Sequence, residues 1–144
     1  MRARDARFFG ACEDAKQLSD DPDTQVACVF VGHKGGADVI LARGSNTLVR
    51  GCTRTDARVT RPGKYTWIEH AERNAIYSAA RAGVSLEGAV AYVTLWPCLE
   101  CARAIVQCGA AKVVAPSRPD LQDERWGAQF RLTQELFDDV GLPY

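Results

Sequence analysis

The chain has 144 residues, enough for one domain with a core of its own, and its 47% hydrophobic and 25% charged residues are the balance of a globular fold. Lys plus Arg and Asp plus Glu are equal at 18 each, which argues against nonspecific binding to nucleic acid or an anionic membrane, because both need a basic excess. No apolar run approaches the roughly 18 residues of a membrane span, and the Arg-rich stretch from Met1 to Phe9 lacks the apolar segment of a secretory signal. A cytoplasmic protein with reduced cysteines is therefore expected.

Taken in order, Arg2 to Leu18 carries Phe8, Ala11, Cys12, Ala15 and Leu18 at helical spacing, and Ser19 to Asp23 ends that helix with turn formers and a proline. Gln25 to Val31 reads as a strand, His33 to Gly36 as a turn, and Asp38 to Ala42 as the returning strand of a hairpin. From Arg43 to Lys64 no periodicity survives. This long irregular stretch holds Arg50, Arg54, Arg58, Arg61 and Lys64, read either as a solvated basic loop or as a source of one or two phosphate contacts. Ile68 to Ala82 is the next helix, closed by Gly83. Ala89 to Leu95 is a strand apolar throughout, Cys98 to Cys108 a helix ended by Gly109, and Lys112 to Ala115 a short strand. After a loop from Pro116 to Gln122, Asp123 to Val140 is an amphipathic helix with Trp126, Phe130, Leu132, Leu136 and Phe137. Its aromatic face belongs to the core or to a subunit interface. Strand–helix–strand crossovers imply parallel pairing with helices on both faces of the sheet. The expected fold is a single three-layer α/β/α sandwich over residues 1–144, with a mixed central sheet and the hairpin as its antiparallel edge.

Chemistry concentrates in His70-Ala71-Glu72 and Pro97-Cys98-Leu99-Glu100-Cys101. His70, Cys98 and Cys101 are three zinc-type donors with no fourth partner at either motif, the count of a catalytic rather than a structural site. All three fall at predicted helix starts, where the dipole and free amides favour thiolate over thiol. Glu72, two residues past His70, is placed to move protons without binding the metal. A thioredoxin-like redox pair would leave His70 and Glu72 without a role. Cys12, Cys28, Cys52 and Cys108 lack partners at ligand spacing and read as core or incidental thiols, and His33 reads as structural.

These motifs, His-x-Glu followed by Pro-Cys-x-x-Cys, resemble those of the cytidine and deoxycytidylate deaminase superfamily. The resemblance extends over nearly the whole chain and is nearest to the deoxycytidylate deaminases. It is carried by Asp21-Pro22-Asp23-Thr24-Gln25-Val26, Gly44-Ser45-Asn46, Lys64-Tyr65 with His70-Ala71-Glu72-Arg73-Asn74-Ala75-Ile76, and the aromatic Trp96 before Pro97-Cys98. It implies a zinc-dependent hydrolytic deaminase acting on a small pyrimidine, with dCMP to dUMP the leading reaction. It also implies a homo-oligomer. Asn46 would bond the sugar, the Ala71 amide the pyrimidine carbonyl, and Trp96 would line the base pocket. Thr47-Leu48-Val49 and Pro116 to Asp123 depart from the superfamily pattern beside the substrate. A free base, a nucleoside or a modified pyrimidine is the alternative substrate. Nucleic-acid editing and a zinc scaffold are further alternatives, the first disfavoured by the neutral charge balance.

Overall fold

Five successive apolar residues, Ala27 to Val31, are sealed from solvent, which requires cover on both faces and a neighbour on both edges. In the computed structural model, which describes residues 1–144, they belong to β1 (Ala27–Lys34). A two-residue turn at Gly35 and Gly36, both at positive φ (57° and 80°), leads into β2 (Ala37–Ser45). Glycine enters that left-handed backbone region without the clash a Cβ would bring. The main sheet is completed by β5 (Val90–Val93) and β6 (Lys112–Val114), in the order β2-β1-β5-β6. β1 pairs antiparallel with both β2 and β5, and β5 pairs parallel with β6.

The expected mixed sheet and three layers are present, and the hairpin supplies the antiparallel edge as expected, with β2 outermost and β1 beside β5. One correction concerns the crossovers. β2 and β5, both antiparallel to β1, run the same way without touching, so the first crossover spans an intervening strand. Parallel pairing holds for β5 and β6 only.

The helix α1 (Ala3–Lys16) covers one face. Its Phe8, Cys12 and Ala15 pack on Ala27, Val29, Val31 and Tyr92. The other face of β1, through Cys28 and Phe30, meets α4 (Ala71–Ala82), α5 (Leu99–Gln107) and α6 (Gly127–Val140) in the larger core. Phe130 and Phe137 of α6 are buried in that core, which settles the aromatic face of the last helix as internal packing. Beyond α6 the Pro143 carbonyl accepts a hydrogen bond from Val113 N (3.0 Å), so the terminal segment lies against the outer edge of β6 and masks part of it.

The stretch from Arg43 to Lys64 is more ordered than its sequence suggests. β2 runs on to Ser45, Thr47–Leu48 forms β3, and two single helical turns follow, α2 (Asp56–Val59) and α3 (Lys64–Trp67). Ile68–Glu69, expected to be helical, is instead β4 and pairs antiparallel with β3. That two-residue ladder ties the end of β2 to the start of α4. His33 and Lys34 also lie inside β1 rather than in the turn, and His33 Nδ1 sits 3.2 Å from Asp38 Oδ1. No helix is long and apolar enough to cross a membrane.

Candidate active site

The close approach of β2 to α4 begins at Gly44. A Cβ there would overlap the Ala71 carbonyl and the Ala75 amide, so only glycine lets the strand backbone rest on the first turns of the helix. Asn74 strengthens the same contact, its Nδ2 donating to Ser45 O (2.8 Å) and Thr47 Oγ1 (3.1 Å). The result places Asn46, at the end of β2, beside the N-terminus of α4.

His70 is the N-cap of α4 and Cys98 the N-cap of α5, both with extended backbone (ψ 150° and 165°). Cys101 lies one turn into α5 on its buried face. The three converge: His70 Nδ1 is 3.6 Å from Cys98 Sγ and 3.5 Å from Cys101 Sγ, and all three donor atoms lie within 4.8 Å of one another. Zinc bonds of about 2.0–2.3 Å at tetrahedral angles would separate a ligand nitrogen and sulfur by about 3.6 Å. The donor set therefore fits zinc in both chemistry and spacing.

The electrostatics agree. A hydrogen bond from the Cys101 thiol, opposed by burial and reinforced by His70, brings Cys98 down to about 4. Cys101, as the donor of that bond in a buried position, is pushed up. The directions favour thiolate at the head of α5, where a cation would replace the shared proton. The bond to Cys98 raises His70, with burial opposing. Glu72 is 4% exposed, and burial raises it above the ordinary glutamate range, the direction that suits a group which must both take and give protons near neutrality.

Glu72, His70 and Cys98 are among the residues that line a cavity of about 120 Å³. Ala71 lines it too, and as the first residue of α4 its amide has no intrahelical acceptor. Trp96 forms a wall, 6% exposed, with its ring edge-on to Tyr144 (centroids 5.1 Å) and Phe137 (5.9 Å). Asn46 lines the cavity with most of its capacity committed. Its Oδ1 accepts from Ser19 Oγ (2.6 Å) and Val26 N (2.9 Å), and its Nδ2 donates to Thr24 O (2.8 Å). One amide N–H is left for a bound molecule.

The five cations of the basic stretch separate sharply. Arg54 pairs with Asp20 (2.8 Å), and Arg58 donates to Thr53 O and lies over the Trp67 ring (4.1 Å). Neither these two nor the exposed Arg50 lines the cavity. Lys64 lines it but is paired with Asp21 (2.8 Å). Arg61 lines it with no hydrogen bond or ion pair of its own side chain.

Two walls escaped the sequence reading. Trp126 lies just before α6, where the Asp123 carboxylate accepts from the Arg125 and Trp126 amides, and its ring stands edge-on to His70 (6.2 Å). Tyr65 of α3 lines the cavity as well. For Trp126 the usable signal was the Asp-x-x-Trp turn ahead of the helix, masked by the aromatic spacing that follows it.

The family model for the cytidine and deoxycytidylate deaminase zinc-binding region matches residues 2–117. A curated relative, an uncharacterized deaminase in the luxG 3′ region of Aliivibrio fischeri, is 35% identical over 136 residues, 94% of this chain and 88% of that protein. A deoxycytidylate deaminase of Pongo abelii is 32% identical over 144 residues, covering 95% of this chain and 75% of its own. Among solved structures, dCMP deaminase from the cyanophage S-TIM5, in complex with dCMP and dUMP, superposes with a TM-score of 0.69 over 94% of both chains, at 26% identity.

Proposed function

Because the chain belongs to the cytidine and deoxycytidylate deaminase family, we propose that it converts dCMP and water to dUMP and ammonia. One observation carries the hydrolytic chemistry. Three zinc-type donors converge, and two of them, His70 and Cys98, line one cavity together with the buried Glu72. The nucleotide preference is supported by the deoxycytidylate deaminases among its relatives, by the phage enzyme that binds dCMP and dUMP, and by Arg61 on the cavity wall.

His70, Cys98 and Cys101 would hold the zinc. Bound there, the metal supplies a water with a pKa lowered to about 7. The remaining work falls to the chain. Glu72 takes the first proton of the attacking water and hands it to the ring nitrogen, then takes the second from the new hydroxyl on the ring carbon and hands it to the departing amine, so that both protons of water end on the products. The Ala71 amide donates to the pyrimidine carbonyl, while Trp96 and Trp126 hold the ring and exclude bulk water. The spare N–H of Asn46 meets the sugar. Arg61 meets the 5′-phosphate, the role its free guanidinium suits best among the five cations of that stretch. Homo-oligomerisation and a reducing cytoplasm complete the proposal, the latter supported by six unpaired cysteines.

Ammonia release by the zinc-loaded chain, measured against dCMP, CMP, deoxycytidine and cytosine, tests this reading. Fastest turnover per enzyme at low dCMP supports it. Turnover confined to nucleoside or base would keep the zinc chemistry and reject the phosphate contact.

A further inference from the structure

Resting on the nucleotide reading above, we propose that Arg125, stacked on Tyr65 at the rim of the cavity, is a second binding residue for the 5′-phosphate and forms a two-cation clasp with Arg61. The Arg125 Cζ lies 3.4 Å from the Tyr65 ring centroid and 5.4 Å from that of Trp126. Both rings line the cavity. A guanidinium lying flush on a ring keeps its N–H donors in the plane, pointing outward past the ring edge. The Arg125 side chain makes no ion pair and no hydrogen bond, whereas the nearby cations Lys64, Arg54 and Arg73 are each paired with carboxylates. Arg125 is thus oriented by stacking with its donors unspent.

Its backbone is equally fixed, since the Arg125 amide donates to Asp123 Oδ1 at 2.9 Å. Arg61 and Tyr65 come from one segment of the chain and Arg125 from another, and the two segments meet at the Tyr65 ring. Arg61 on the cavity wall and Arg125 on the Tyr65 ring that lines the same cavity match a nucleotide phosphate carrying up to two negative charges. Because the stack orders Arg125 before ligand arrives, the grip needs little rearrangement on binding. A nucleoside gains nothing from it, so the clasp sets nucleotide over nucleoside.

The test is steady-state kinetics of the zinc-loaded full chain with dCMP and with deoxycytidine, comparing wild type with Arg125→Gln, Arg61→Gln, Tyr65→Leu and Tyr65→Phe. Arg125→Gln is expected to raise KM for dCMP at least about tenfold more than KM for deoxycytidine, the loss of one charge-assisted contact. Tyr65→Leu should reproduce part of that selective rise, and Tyr65→Phe, which keeps the ring, should restore the wild-type ratio. An equal rise for both substrates in Arg125→Gln, or a selective rise in Arg61→Gln alone, overturns the role of Arg125 and leaves the proposed reaction standing. A wild-type enzyme that prefers deoxycytidine to dCMP rejects the nucleotide reading itself, and the clasp with it.

Discussion

Lys64 and Asp21 form an ion pair of 2.8 Å in which neither side chain is more than 7% exposed. The pair joins the α1–β1 connection to the head of α3, and both residues line the cavity. Removing one partner strands the other charge away from water, so Lys64→Met or Asp21→Asn should cost about 3–5 kcal/mol. The double variant should recover a large part of that loss. Urea unfolding of the three variants measures it, and a double variant no more stable than the singles would deny the coupling.

The same pair sets an acid limit. Burial pushes the Asp21 carboxyl up, but the Lys64 ammonium and the Asp23 and Thr24 amides more than offset this and hold it below the ordinary carboxylate range. The folded chain then binds this proton less readily than the unfolded chain, whose value is about 3.9. Its contribution is complete above that value and is lost as pH falls through the lower folded one. Unfolding free energies between pH 5 and pH 2 should therefore drop more steeply for wild type than for Asp21→Asn.

Glu72→Ala and Glu72→Gln should lower turnover by about 10²–10⁴-fold or more while one zinc stays bound per chain, since Glu72 moves protons and is not a ligand. Metal analysis beside ammonia release separates the two effects. Cys101→Ser, by contrast, should lose zinc and activity together.

Gly44→Ala places a methyl group against the Ala71 carbonyl and the Ala75 amide, both backbone and unable to step aside. A cost of about 1–3 kcal/mol is expected from overpacking. Because Asn46 follows two residues later, the KM for substrate should rise as well, and thermal unfolding with kinetics on the surviving protein would show both.

Thr133 of α6 is fully buried, and its Oγ1 donates to the Pro97 carbonyl at 2.9 Å. Thr133→Val keeps the shape and deletes the donor, leaving a sealed carbonyl next to Cys98 at a cost of about 1–3 kcal/mol. Faster zinc loss to a chelator in this variant would show that the bond also steadies the ligand turn.

The metal residues were legible because each motif is local: His70 and Glu72 lie two residues apart, and Cys98 and Cys101 three. The place of β1 was not, since strand order is a property of the whole sheet; the unbroken apolar run from Ala27 to Val31 was its only trace. Thr47–Leu48 and Ile68–Glu69 are too short to show a period of two, so one was read as loop and the other as helix. The fate of the cations was hidden because their partners, Asp20 and Asp21, lie more than 30 residues earlier. Trp126 was assigned with the helix it precedes, although its turn aims it at His70.

The reacting groups and one part of the surrounding wall come from different parts of the fold. His70, Glu72, Cys98 and Cys101 ride on helices anchored in the core, whereas Arg61, Tyr65, Arg125 and Trp126 stand on short segments outside the main sheet. Exchange at Arg61, Tyr65, Arg125 and Trp126 therefore alters what is admitted without moving what reacts. Such a chain can acquire a new substrate range while its buried pair and core stay as they are, and those four positions are the natural places to randomise when redirecting it.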